Sequence, residues 1–204
     1  MALATLDQNI PHERTLYRRI SSIIANPPDT EFSLYGPYAL LWHKYFPFAA
    51  HWMVKPQAPI RRFVPGHGSQ DSVGRTVDPD GRTAKRPDFT ICRFGEDGNS
   101  DATNIIIEIK PKAVEPNTAE FDRASSQLGI YMLMLNEQLP AAKGGEGVMV
   151  GLLILGTICF SFRVAGNLVV QTPQDLDVRG VDVRLPAFRT FLLARAAIPN
   201  LPPP

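Results

Sequence analysis

The chain has 204 residues, of which 44% are hydrophobic and 20% charged, with a formal net charge of +1. That length and composition suit one domain with a substantial buried core, and they exclude a strongly basic nucleic-acid coat. Binding to a polyanion would have to come from local clusters of charge.

Asn9 as a cap, Pro11 at the first turn, and Leu16, Ile20, Ile23 and Ile24 at helical spacing predict an N-terminal helix over 10–25. Asn26-Pro27-Pro28-Asp29 ends it, and Asp29 or Thr30 caps a second helix with Leu34, Tyr38, Leu41, Trp42 and Tyr45 on its apolar stripe. Pro37 either kinks that helix or marks its true first turn. His51 to Val54 reads as a strand, and Lys55 to Arg86 as a long loop or irregular hairpin rich in Gly, Pro and charge. Phe89 to Phe94 is the next strand, Gly95 to Ala102 a turn, and Asn104 to Lys110 a further strand. Its consecutive Ile105, Ile106 and Ile107 suit a central strand buried on both faces.

Thr118 to Gln138 is a helix with Phe121, Ala124, Leu128, Tyr131, Met132 and Leu135 on its apolar side. A loop over Ala141 to Gly147 precedes strands at Val148 to Leu155, Ile158 to Val164 and Leu168 to Gln171. Pro186 to Ala197 reads as a final helix with Phe188, Phe191, Leu192 and Arg195, and Pro199 to Pro204 as a frayed tail. This order predicts a single α/β or α+β domain over 1–204, with its core at about 29–171 and a mixed sheet sandwiched by helices.

Cys92 and Cys159 lie in apolar runs and read as buried free thiols without metal-knuckle spacing. Met1 to Arg19 lacks the apolar core of a secretory signal, and Val148 to Phe162 is too short for a membrane span. The expected setting is intracellular, with no membrane partner. His12, His43, His51 and His67 show no ligand spacing, and Trp42, Trp52, Phe46 and Phe48 read as core rather than base-stacking platforms.

Chemistry concentrates on two short runs, Arg86-Pro87-Asp88 and Glu108-Ile109-Lys110. Side chains alternate across a strand, so Glu108 and Lys110 share one face. An acid and a lysine on a buried strand are costly unless something pairs or uses them. Carboxylates bind hard divalent cations by oxygen, and a lysine beside them can orient water or stabilise charge on a phosphate. Between Lys55 and Arg86, positive residues outnumber Asp71, Asp78 and Asp80, so Arg61, Arg62, Arg82, Lys85 and Arg86 are candidate phosphate contacts.

Pro87-Asp88 followed about twenty residues later by Glu108-Ile109-Lys110 resembles the signature of the PD-(D/E)xK nuclease superfamily. Gln127 and Tyr131, four apart on one helix face, resemble the Q-x-x-x-Y motif of its RecB-like branch. The resemblance covers residues 29 to 160 and implies a restriction-endonuclease-like fold with core order αβββαβ. It also implies Mg²⁺- or Mn²⁺-dependent hydrolysis of phosphodiester bonds, in DNA rather than RNA. By resemblance, Asp88, Glu108 and the Ile109 carbonyl are metal ligands, and Lys110 is the catalytic lysine. Gln127 and Tyr131 help build the site, and Glu31, with Glu13 as second choice, is the acid of the first core helix. The alternative is a catalytically inactive module that keeps this fold and binds nucleic acid or a protein. The modest overall charge points to a homo-oligomer or larger assembly that completes the binding surface.

Overall fold

The computed structural model of the chain describes residues 6–26, 32–60, 69–70, 76–77, 86–94, 101–111, 115–116, 118–136, 149–165, 168–172, 176–177 and 179–197. Helix α1 spans Pro11–Ala25 and α2 spans Phe32–Tyr45, followed by a 3-10 turn at Phe48–Ala50. The strands are β1 (Trp52–Pro56), β2 (Ser69–Gln70), β3 (Thr76–Val77), β4 (Phe89–Phe94), β5 (Asp101–Lys110), β6 (Val150–Leu155), β7 (Ile158–Ala165), β8 (Leu168–Gln171) and β9 (Val181–Asp182). Helix α3, Ala119–Asn136, lies between β5 and β6, and α4, Pro186–Ala196, closes the set.

Seven strands form one mixed sheet in the order β1-β4-β5-β6-β7-β8, with β9 paired to β7; β2 and β3 pair separately. The β5–β6 pair is parallel and the others in the main sheet are antiparallel. A parallel pair needs a crossover rather than a tight turn, and α3 lies in that connection.

The two faces carry separate cores. Ile20 and Ile23 of α1, Leu34, Tyr38 and Trp42 of α2, and Phe188 and Leu192 of α4 cluster with Phe89, Ile105, Ile107, Ile109, Leu152 and Ile154. Phe121, Leu128, Tyr131 and Met132 of α3 cluster on the other face with Ile106, Leu153, Leu155, Phe160 and Phe162. Ile105, Ile106, Ile107 and Ile109 have no exposed surface, so β5 is the buried central strand. Each such side chain contributes roughly 1.5–3 kcal/mol on leaving water.

Several local expectations are corrected. Ile10, not Asn9, is the N-cap of α1; it is extended (φ −88, ψ 117) and makes no side-chain cap bond, while Pro11 occupies the first turn. Strand β1 continues to Pro56, and β5 starts at Asp101 within the expected turn. Strands β2 and β3 pair antiparallel inside the stretch expected as a long loop or irregular hairpin, in keeping with the hairpin, and β9 has no alternating pattern long enough to see. Pro37 is inside α2. Phe48 is 72% exposed, against Phe94, rather than core. The caps Asp29 and Thr30, the loop 141–147 and the tail 199–204 lie outside the described residues. Both cysteines are free and buried. Among the described residues, no helix is long and apolar enough to cross a membrane.

Candidate active site

Strand β4 pairs with β5 antiparallel, with Phe89 opposite Ile107 and Thr90 opposite Ile106. Asp88 immediately precedes Phe89, which carries it to the level of Glu108 near the end of β5. The Asp88 carboxylate, 4% exposed, accepts a hydrogen bond at Oδ2 from the Ile109 amide at 2.6 Å. The two sequence runs are therefore joined directly. A strand residue sends its N–H and C=O toward the same neighbour, so the Ile109 carbonyl also faces the β4 side. The Lys110 carbonyl faces β6 and accepts from the Gly156 amide at 2.9 Å.

Glu108 is 1% exposed and lies on the α3 face of β5. Its Oε1 accepts from Lys110 Nζ at 2.8 Å and from Gln127 Nε2 at 2.7 Å. Gln127 Nε2 also lies 2.7 Å from the Tyr131 hydroxyl, which accepts from it. Helix spacing explains the pair, because residues four apart stack on one face. Thr118 sets the phase of this helix by accepting the Phe121 amide at its hydroxyl, 3.2 Å away. Burial pushes the Tyr131 phenol above its ordinary value; the Gln127 hydrogen bond and Lys110 oppose the shift, and Glu108 and Asp88 add to it. The phenol stays protonated at neutral pH, and it feels all three charged groups of the site.

Sequence reasoning missed three neighbours. Tyr35 of α2 donates to Asp88 Oδ1 at 2.5 Å. Gln57, just past β1, donates to the Tyr35 hydroxyl at 3.1 Å. Thr90 is on the same face of β4 as Asp88, is 4% exposed, and its hydroxyl has no hydrogen-bond partner among the described residues. Strand alternation from Asp88 would have found Thr90. Nothing in the sequence marks Tyr35 or Gln57, because they come from α2 and the end of β1, both distant from Asp88 along the chain.

Glu31 lies outside the described residues, as do Arg61, Arg62, Arg82, Lys85 and His67. Arg86 is exposed, two residues before Asp88. Glu13 is not part of the site: it pairs with Lys44 and accepts the Asp7 amide, tying α1 to α2. Among the described residues, no group of three or more His, Cys, Asp and Glu side chains gathers to hold a metal ion. The oxygen donors on hand are the Asp88 and Glu108 carboxylates and the Ile109 carbonyl, which suit a hard cation. The unsatisfied Thr90 hydroxyl on that face also fits a polar occupant. No family model matches the chain, and neither a curated protein nor a solved structure matches it.

Proposed function

We propose that this chain is a Mg²⁺- or Mn²⁺-dependent nuclease of the PD-(D/E)xK type, hydrolysing phosphodiester bonds in DNA rather than RNA. The observation that carries the reading is the single hydrogen-bonded cluster of Glu108, Lys110, Gln127 and Tyr131, with Asp88 bonded to the amide between Glu108 and Lys110. The order α2, β1, β4, β5, α3, β6 also supports a restriction-endonuclease-like core. Asp88, Glu108 and the Ile109 carbonyl hold the cation, joined by Glu31. When bound, the cation lowers the pKa of a coordinated water and neutralises developing charge on the phosphate.

The chain's own groups supply the rest. Lys110, with its side chain 27% exposed, reaches from buried Glu108 toward solvent and orients the attacking water or the phosphate. Gln127 holds the Glu108 carboxylate and the Tyr131 hydroxyl in fixed relation. Arg86, with Arg61, Arg62, Arg82 and Lys85, contacts backbone phosphates without reading sequence. A homo-oligomer or larger assembly extends that surface.

The test is cleavage of single- and double-stranded DNA and of RNA with and without Mn²⁺. Lys110→Ala is expected to abolish cleavage while the circular dichroism spectrum stays that of the folded chain, with a lower Tm because buried Glu108 loses a donor; undiminished cleavage sinks the reading. A second reading, a non-catalytic module of the same fold, is favoured by one observation: the described residues gather fewer than three ligating side chains. Calorimetry separates the two, since Mn²⁺ uptake lost in Asp88→Ala belongs to the nuclease alone.

A further inference from the structure

A β ladder joins backbone groups only, so pairing of β4 with its neighbours does not hold the Asp88 side chain. Two donors from different elements do. The Ile109 amide bonds Oδ2 at 2.6 Å, and the Tyr35 hydroxyl bonds Oδ1 at 2.5 Å. With the Ile109 amide on one oxygen and the Tyr35 hydroxyl on the other, the plane of the carboxylate cannot turn without breaking a bond. A carboxylate oxygen carries more than one lone pair, so accepting a hydrogen bond does not by itself bar it from a cation.

Tyr35 is itself constrained. Its ring meets Phe89 edge-on at 5.7 Å and 83°. Its hydroxyl accepts from Gln57 Nε2, which directs the phenol proton to Asp88. Gln57 also donates its backbone N–H to the Asp88 carbonyl at 3.0 Å. The bonds therefore close a ring: Gln57 backbone to Asp88 carbonyl, Asp88 carboxylate to Tyr35, and Tyr35 to the Gln57 amide. Gln57 completes the ring at φ 46, in the left-handed region that non-glycine residues rarely adopt. Such a conformation persists only where the surroundings over-determine it, and it concentrates at functional sites.

We propose that Tyr35, braced by Gln57, is a positioning residue of the cation site, fixing the orientation of Asp88 from the opposite side of the sheet to α3. This inference rests on the cation-dependent reading of Asp88 and Glu108. Partners that orient a ligating side chain typically contribute 10- to 100-fold to metal affinity.

The test is Mn²⁺ calorimetry on the full chain, with Tm and cleavage rate measured alongside. Tyr35→Phe keeps the ring against Phe89 and removes only the hydroxyl. Its Mn²⁺ Kd is expected to weaken by about 10- to 100-fold. Cleavage should recover toward the wild-type kcat at saturating Mn²⁺, because the ligands themselves are intact. Gln57→Gly, which relieves the left-handed backbone but removes the amide, should weaken Mn²⁺ binding in the same direction without lowering Tm. If Tyr35→Phe does not fold, Gln57→Gly decides alone. A merely structural role would lower Tm and leave Kd unchanged. Wild-type Kd in both variants, with binding lost in Asp88→Ala, overturns the role of Tyr35 and leaves the nuclease reading standing. No Mn²⁺ uptake by the wild-type chain overturns both.

Discussion

Glu108 shows how a charged residue is tolerated at 1% exposure. An isolated carboxylate there would cost several kcal/mol, so its two donors, Lys110 and Gln127, are structural as well as chemical. Gln127→Leu removes one donor from Glu108 and the contact to Tyr131. It is expected to destabilise the fold by about 1–3 kcal/mol in urea denaturation, and to slow cleavage even at saturating Mn²⁺. Asp182 is a second instructive residue. Burial pushes its carboxyl up, but hydrogen bonds and charge from Arg184 outweigh that and hold it below its ordinary value of 3.8. A carboxyl lowered by folding stabilises above its unfolded pKa, and that stabilisation fades as pH falls through the folded one. Asp182→Asn should therefore melt below wild type at pH 7, and the difference in Tm should shrink as the solution is acidified below pH 3.8.

At the scale of elements, α3 sits close on the sheet because β6 offers it a glycine. A Cβ on Gly151 would stand 2.3 Å from Met132 Sδ and 3.1 Å from Leu128 Cδ2. Gly151→Val is expected to push α3 away and destabilise by about 1–3 kcal/mol. Since α3 carries Gln127 and Tyr131, the same variant should lower activity more than its loss of Tm explains; an unchanged cleavage rate would show that the site tolerates the displacement. Gly180 governs the turn into β9. Its φ of 79 and the nearness of Ile158 Cγ2, 2.3 Å from an added Cβ, exclude a side chain. Gly180→Ala should lower stability by about 1–3 kcal/mol without altering Mn²⁺ affinity, because β9 pairs with β7 near Ile158 and Cys159, away from Asp88.

Across the whole molecule, both faces of the sheet converge on β5. Its ladder with β4 skips Asn104 between the pairs Ile91–Ile105 and Cys92–Thr103. The irregularity lets the Asn104 Oδ1 and carbonyl meet buried Arg195 of α4, at 2.9 and 3.4 Å. Asn104→Ala should cost about 1–3 kcal/mol by depriving a buried guanidinium of an acceptor, measured as a drop in Tm that spreads to every probe of folding. The Ile-rich run, the acid and lysine at its end, and the Gln127–Tyr131 spacing were all legible in the sequence. They depend on local periodicity: two for a strand, 3.6 for a helix. The positions of β1, β4, β5, α3 and β6 were legible for the same reason. The partners that hold Asp88 were not. Tyr35 and Gln57 meet it across sequence separations that no period encodes, and the left-handed backbone of Gln57 carries no glycine to announce it. Phe48 looked like core because it is aromatic, yet it lies outside both clusters. Local composition thus determined which residues would be strand, helix and candidate chemistry. Only the packing of α2 against one face and α3 against the other decided which groups surround the two carboxylates, because burial and hydrogen bonding between distant segments are settled by the closed fold alone.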